Sequence, residues 1–173
     1  MRAFLTAFAL ATIAFPAAAA LPQGAKAPSF VTTAAVGGKA FRLDLKQQLR
    51  NGPVVLYFFP KAFTKGCTLE AHAFSEAMPE FRKAGARVIG LSADNIATLK
   101  KFSTEECRSA FPVASASPEL IREYDVSWKE QKGLTTRTSY VIGKDGRIVM
   151  VHDDLDWSQH VAKTLAAVKA LKK

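Results

Sequence analysis

The stretch Val54-Val-Leu-Tyr-Phe-Phe-Pro-Lys-Ala-Phe-Thr-Lys-Gly-Cys67 runs from an unbroken apolar segment, through a proline-led loop, to a cysteine. Val54 to Phe59 is apolar on both faces, the pattern of a strand covered on both sides. Pro60 cannot donate to a sheet ladder and closes the strand. Beyond the loop, Leu69, Ala73, Phe74, Met78 and Phe81 recur at helical spacing, which predicts a helix from Cys67 to Lys83. Pro79 lies inside that span and predicts a kink or break near Ala77-Met78. Ala84-Gly85 closes it. The cysteine therefore stands where a helix begins. Free N–H groups and the positive end of the helix dipole favour an anion at such a place. A thiol there ionises more easily to the nucleophilic thiolate.

Upstream, Leu21 to Pro28 reads as a lead-in loop. Ser29 to Ala34 and Lys39 to Leu43 read as strands joined by the turn Gly37-Gly38. Asp44 caps a short helix, Leu45 to Leu49, that ends at Asn51-Gly52. Downstream, Arg87 to Ser92 is a second central strand. Asp94 or Asn95 caps a helix through Ile96, Leu99 and Phe102 toward Cys107. Pro112 to Ser115 is a short strand, and Pro118 opens a helix to Tyr124. Asp125 to Thr136 is a loop carrying Trp128. Thr138 to Gly143 and Arg147 to His152 are strands joined by the turn Lys144-Asp145-Gly146. Trp157, Val161, Leu165, Val168 and Leu171 make one stripe of a closing helix, Trp157 to Leu171. Strands alternating with helices, flanked by hairpins, mean an α/β fold. Its sheet is mixed, with helices on both faces and an N-terminal β-hairpin extension.

The chain has 173 residues, 49% of them hydrophobic and 23% charged, enough for one domain with a real core. Met1-Arg2, the apolar run Ala3 to Phe15, Pro16 and the small residues Ala18-Ala19-Ala20 have the layout of a secretory leader cleaved before Leu21. An uncleaved membrane anchor is the alternative, but the run is short for a span of about 20 residues. The expected organisation is a signal peptide, residues 1–20, followed by a single domain, residues 21–173. Export to the periplasm follows, with no stable membrane association after cleavage. The net charge of +9 falls by one with Arg2. Lysines and arginines are scattered, apart from a small cluster at Lys169, Lys172 and Lys173, and no basic run is interleaved with aromatics. That reads as a solvated surface and not a nucleic-acid site.

Cys67 and Cys107 are the two cysteines of the chain. In an oxidising compartment a pair reads first as a structural disulfide. A domain of this size folds without one, and the place of Cys67 suits a reactive thiol. An ordinary thiol is about 3% ionised at neutral pH, so lowering its pKa by two units or more raises the thiolate about thirtyfold. Thr64 can cap the helix or contact the sulfur and its substrate; both readings stand on local spacing. Pro60 needs no role beyond ending a strand. Arg137 reads by itself as a surface arginine at a strand start. His72 reads as an ordinary helix histidine, without partners at metal-ligand spacing.

Pro60-x-x-x-Thr64-x-x-Cys67 after a Val-Val-Leu-Tyr-Phe-Phe strand resembles the peroxidatic motif of the peroxiredoxins. Phe63-Thr-Lys-Gly-Cys-Thr68 with Glu70-Ala71 resembles the bacterioferritin-comigratory-protein, or Q-type, branch of these AhpC/TSA-like thiol peroxidases. The likeness extends from Gly24-Ala-Lys-Ala-Pro-Ser-Phe30 to the final helix. It includes Arg137-Thr-Ser-Tyr-Val-Ile142 with Lys144-Asp-Gly146, where the family carries its active-site arginine. The resemblance implies a thioredoxin-like fold and reduction of hydrogen peroxide and organic hydroperoxides without a metal or organic cofactor. It implies that Cys67 is the peroxidatic thiolate and becomes a sulfenic acid. Arg137 would hold thiolate and peroxide by charge-assisted donors. Thr64 would position the peroxide, Pro60 would shield the sulfenate, and the N–H groups of Gly66 and Cys67 would add donors. Phe63 adds apolar surface that permits organic peroxides.

Many members of the branch carry a resolving cysteine five residues after the first, where this chain has His72. Cys107 is then the candidate resolving thiol. It would form an intramolecular disulfide that a thioredoxin-like protein reduces. That bridge needs Cα atoms within about 7 Å, which implies local unwinding of both cysteine segments. A one-cysteine cycle completed by an external thiol and a bridge between two chains stay open, as do monomer and homodimer. Two readings from other classes stand beside the peroxidase. A thiol–disulfide exchanger of thioredoxin fold should show Cys-x-x-Cys, and position 64 is threonine. A non-catalytic binding module would keep both cysteines in a static bridge. Phe111, Trp128 and Trp157 read as core or as a subunit contact.

Overall fold

The computed structural model of the protein describes residues 20–171. The leader-like segment therefore lies outside the described residues apart from Ala20, as do Lys172 and Lys173.

Seven strands form one mixed sheet in the order β2-β1-β5-β4-β3-β6-β7. β1 (Val31–Val36) and β2 (Lys39–Asp44) are the N-terminal hairpin. β3 (Val54–Phe58), β4 (Arg87–Ser92) and β5 (Val113–Ser115) run parallel through the centre. β6 (Thr138–Ile142) and β7 (Ile148–Asp153) are the second hairpin, with β6 antiparallel to β3. The first hairpin extends the same sheet, because β1 pairs antiparallel with β5.

Helices cover both faces, as the alternation of strands and helices predicts. On one face, α1 (Leu45–Arg50) and α4 (Pro118–Glu123) set Leu45, Leu49, Leu120 and Ile121 against Leu56, Phe58, Ile89 and Leu91. On the other lie α2 (Lys65–Lys83), α3 (Ile96–Glu105) and α5 (His160–Ala170), whose Phe74, Phe81, Leu99, Phe102 and Val168 meet Val55, Tyr57 and Val88. Every residue of β3 is buried, because alternate side chains feed opposite cores. Among the described residues no helix is long and apolar enough to cross a membrane.

Several boundaries differ from expectation. α2 begins at Lys65, two residues before Cys67, and runs unbroken through Pro79. Ala71, Phe74, Met78 and Phe81 are buried on both sides of the proline, and that packing carries the helix across the missing N–H. Asn95 caps α3 by accepting from the Thr98 N–H, while Asp94 turns elsewhere. α3 stops at Glu105, so Cys107 lies just beyond it. The closing helix opens with a 3₁₀ turn, Trp157–Gln159. Its buried positions are His160, Thr164 and Val168, whereas Val161 and Leu165 are half-buried and Leu171 is exposed. Polar groups fit inside that stripe because they are satisfied: Thr164 Oγ1 donates to the His160 carbonyl, and the imidazole is bonded at both nitrogens. Phe111 is core, while Trp128 and Trp157 are half-buried.

Register positions the site. Phe58 of β3 pairs with Thr138 of β6. One residue further, Phe59 and Arg137 leave the sheet at the same end, with Pro60 just beyond and α2 starting at Lys65.

Candidate active site

The loop between β3 and α2 is tied down at each step. The Phe59 N–H donates to the Leu91 carbonyl at 2.9 Å, and Thr135 Oγ1 donates to the Phe59 carbonyl at 2.8 Å. Pro60 is buried. The Ala62 N–H donates to Asp94 Oδ2 at 2.8 Å, and Ser92 Oγ donates to the same oxygen at 2.9 Å. Asp94 thus fastens the loop to β4 instead of capping α3. Phe63 takes a positive φ of 64°, uncommon for a residue with a side chain. It remains 42% exposed, with its ring 5.2 Å from Phe102 in an edge-to-face contact.

Thr64 occupies the N-cap position of α2, but its side chain makes no cap bond. Its hydroxyl donates to the Lys61 carbonyl at 2.9 Å and shapes the turn instead. Thr64 is exposed at the mouth of the site. Of the two readings of Thr64, the side-chain cap is the one the structure removes.

Cys67 is the third residue of α2 and is 1% exposed. Intrahelical bonding starts only at the Thr68 N–H, which donates to the Thr64 carbonyl at 2.9 Å. The N–H groups of Lys65, Gly66 and Cys67 belong to the turn before that ladder. Arg137 Nη2 donates to Cys67 Sγ at 3.5 Å. A thiolate at Cys67 therefore meets a guanidinium and the positive end of a helix together. Gly66 makes room for this approach: a methyl group at position 66 would stand 3.1 Å from Arg137 Nη2 and 3.9 Å from Trp157 Cδ1.

Arg137 is buried and fixed at three points. Nε donates to the Leu155 carbonyl at 2.9 Å, Nη1 to Glu70 Oε2, and Nη2 to Cys67. The surface reading of this arginine fails, because it stands just before β6, at the end of the sheet where its guanidinium meets Cys67 and Glu70 of α2. Glu70 lies one turn after Cys67 and is fully buried. Burial pushes its carboxyl up to about 8 against the pull of Arg137. Glu70 Oε1 has no hydrogen-bond partner and lies 3.8 Å from His160 Nδ1. His160 Nε2 donates to the Asp154 carbonyl at 2.9 Å, and Ser139 Oγ donates to Nδ1 at 2.8 Å. Burial pushes the imidazole down to about 4, so it is neutral.

Cys107 is a free buried thiol, as is Cys67, and no disulfide joins them. Burial pushes the Cys107 thiol far up. The segment around it is held to α2 by four contacts. Ser75 Oγ donates to the Cys107 carbonyl at 2.9 Å, and Arg82 Nη2 to the Ala110 carbonyl at 2.8 Å. His72 Nε2 pairs with Glu106 Oε2 at 2.8 Å, and Arg108 Nη1 with Glu76 Oε1 at 3.2 Å. His72 is thus a helix histidine bound to a carboxylate. Arg108 and Ser109 take positive φ values of 49° and 57°.

The structure brings Cys67, Gly66 and Arg137 together; Pro60 is buried in the loop before them, and Phe63 and Thr64 are exposed on that loop. Sequence reasoning missed Glu70, His160 and Asp94 as parts of the site. Glu70 had a signal: it stands three residues after Cys67, on the same helical face. Asp94 and His160 reach the site only through tertiary packing.

Comparison with known proteins agrees with this geometry. The AhpC/TSA family model matches residues 23–151. Peroxiredoxin Bcp of Xanthomonas campestris pv. campestris is 32% identical over 124 residues, covering 68% of this chain and 76% of that protein. The chloroplastic peroxiredoxin Q of Oryza sativa subsp. japonica is 32% identical over 181 residues, covering 95% of this chain and 81% of its own. The crystal structure of peroxidoxin BcpB from Mycobacterium tuberculosis matches with a TM-score of 0.76 at 29% identity, over 87% of this chain and 98% of that one. With a buried cysteine opening a helix, an arginine on its sulfur and this kinship, the chain belongs to the AhpC/TSA family: it is a Q-type peroxiredoxin of thioredoxin-like fold, a thiol-dependent peroxidase.

Proposed function

We propose that Cys67 is the peroxidatic residue and that Arg137 is its catalytic partner. The observation that carries this is the 3.5 Å contact of Arg137 Nη2 with Cys67 Sγ in the first turn of α2. The thiolate attacks the terminal peroxide oxygen. The O–O bond breaks, the leaving hydroxide or alkoxide takes up a proton and departs as water or alcohol, and Cys67, keeping the peroxide's O–H, becomes a sulfenic acid. Arg137 stabilises the charge that moves along the O–O axis. The N–H groups of Gly66 and Cys67 and the hydroxyl of Thr64 complete the peroxide cradle. Pro60 shields the sulfenic acid, and Phe63 admits organic hydroperoxides beside hydrogen peroxide.

Resolution falls to Cys107. Its thiol condenses with the sulfenic acid, a disulfide forms and water leaves; a thioredoxin-like dithiol then reduces the bridge. Cys107 is buried and tethered to α2, so its segment must open first. The catalytic residues all come from one chain, which suits a monomer or a homodimer. We also propose that residues 1–20 direct export to the periplasm. The layout of Met1-Arg2, the apolar run Ala3 to Phe15 and the small residues Ala18-Ala19-Ala20 before Leu21 supports this. Fractionation and N-terminal sequencing should yield a periplasmic chain starting at Leu21; a cytoplasmic, full-length chain would overturn this.

The test of the peroxidase assignment is one equivalent of hydrogen peroxide added to reduced protein, followed by thiol counting and intact mass. Both thiols should disappear within seconds into a Cys67–Cys107 bridge, and Cys107→Ser should stop at the sulfenic acid. Peroxide consumption by Cys67→Ser would refute the role of Cys67. Full thioredoxin-linked turnover by Cys107→Ser would refute the role of Cys107.

A further inference from the structure

Arg137 faces two buried acids at once. Nη2 meets Cys67 Sγ at 3.5 Å, and Nη1 meets Glu70 Oε2. One guanidinium cannot neutralise both a thiolate and a carboxylate, and the surplus negative charge would be held out of water at high cost. The centre therefore favours one anion at a time.

The far side of Glu70 indicates which group keeps its proton at rest. His160 Nε2 donates to the Asp154 carbonyl at 2.9 Å, which fixes the tautomer. Nδ1 then carries a lone pair, toward which Ser139 Oγ donates at 2.8 Å. The unpartnered Glu70 Oε1 faces that nitrogen at 3.8 Å. A carboxylate oxygen there has no donor to accept from and faces the electron density on Nδ1, which disfavours the charged form. The other titratable groups do not supply a second cation to Glu70. Tyr57 of β3 is kept a neutral phenol by burial. His152 of β7 lies against His160 with ring centroids 4.5 Å apart and the rings tilted by 50°, and is pushed down by burial and by Lys163. The carboxyl of Asp154 and the thiol of Cys67 bring only negative charge.

We propose that Glu70 holds a proton while Cys67 is a thiolate and releases it as Cys67 is oxidised, so that the site carries one negative charge throughout. This rests on the peroxidase reading. The step balances as follows. The thiolate of Cys67 forms a bond to the hydroxyl oxygen of R–O–O–H, and the O–O bond breaks. Sulfur gives up two electrons and the peroxide takes them. The alkoxide leaving group takes one proton, Glu70 gives one up, and the exchange runs through solvent at the mouth. The products are a neutral sulfenic acid, R–OH and a Glu70 carboxylate paired with Arg137. Glu70 acts through Arg137 and is a positioning residue, not a catalytic one. Its carboxyl, pushed up to about 8 by burial, suits such a store at neutral pH.

The experiment is stopped-flow oxidation in weak buffer at pH 7 with a pH indicator, in the Cys107→Ser background so that reaction ends at the sulfenic acid. Proton uptake per sulfenic acid should be close to zero in this parent and should rise to about one in Glu70→Gln. Equal uptake in the two proteins overturns the proposal, including zero in both, which would mean an ionised sulfenate or a neutral thiol at rest. Should Glu70→Gln not fold, reduced-minus-oxidised infrared difference spectra of the parent decide. A protonated-carboxyl stretch present before oxidation and lost after it supports the proposal, and its absence before oxidation overturns it. Formation of no sulfenic acid at all is a separate outcome that sinks the peroxidase reading and this proposal with it.

Discussion

Gly66 shows how much the site depends on one missing side chain. It lies inside a helix, where glycine costs about 0.5–1 kcal/mol relative to alanine, yet a methyl group there would press on Arg137 Nη2 at 3.1 Å. Gly66→Ala should therefore separate stability from activity. Its urea midpoint should hold or rise, while oxidation by peroxide slows about tenfold, a loss of about 1.4 kcal/mol in transition-state stabilisation. Equal or faster oxidation would show that the guanidinium has room to spare. The cysteine at the helix start was legible from local pattern alone, because an apolar strand, a proline and a helical period converge on it. Arg137 was not. It meets Cys67 across a sequence separation of 70 residues, and only the family likeness singled it out. Glu70 was hidden for another reason: a glutamate in an amphipathic helix reads as a solvated residue until a buried cation is placed opposite it.

The helix behind the cysteine is straight in connectivity where its sequence argued for an interruption. Pro79 is exposed, and the helix continues on both sides, because buried aromatic and aliphatic contacts outweigh one absent hydrogen bond. Pro79→Ala should restore that bond and stabilise the fold by about 1–3 kcal/mol, read as a higher urea midpoint with unchanged peroxide turnover; a lower midpoint would mean the proline relieves strain. The segment after α3 carries Cys107, the proposed resolving thiol, and Ser75 Oγ is one of its ties, donating to the Cys107 carbonyl. One such hydrogen bond is worth about 1 kcal/mol. Ser75→Ala should accordingly speed Cys67–Cys107 disulfide formation about fivefold after a peroxide pulse, and an unchanged rate would mean that opening of this segment does not limit resolution. Strand and helix order were legible from periodicity. The caps and ends were not, since Asn95 and Asp94 divide their work by tertiary geometry: one caps α3 and the other holds the Ala62 N–H.

Across the whole molecule, two buried groups tie stability to pH in opposite directions. Glu70 ordinarily titrates near 4.5 and is pushed up to about 8 in the fold by burial. Between those values the folded protein keeps a proton that the unfolded chain has lost, so this contribution declines as pH rises. His160 is pushed down from 6.5 to about 4, again by burial. Below 6.5 the unfolded chain takes up a proton that the folded one refuses, so that contribution declines as pH falls. The two offset each other between 4.5 and 6.5, and above 6.5 Glu70 acts without His160, opposed by the Cys67 thiolate of the peroxidase reading. In Cys67→Ser, which removes the opposing thiolate, urea unfolding should show a loss on the order of 2 kcal/mol from pH 6.5 to 8, and adding Glu70→Gln should flatten it; an unchanged slope would remove Glu70 as the cause. The fold class was legible because each strand and helix carried its own period, whereas the antiparallel joining of β1 to β5 had no local signal. The most direct test of the central claim is the rate at which reduced protein forms a dimedone-trapped sulfenic acid at Cys67, compared with that of Arg137→Met. Removal of a preorganised charged donor should slow this step by about 100-fold or more, with Cys107 untouched by dimedone; oxidation of Cys67 as fast in Arg137→Met as in the parent would contradict the account.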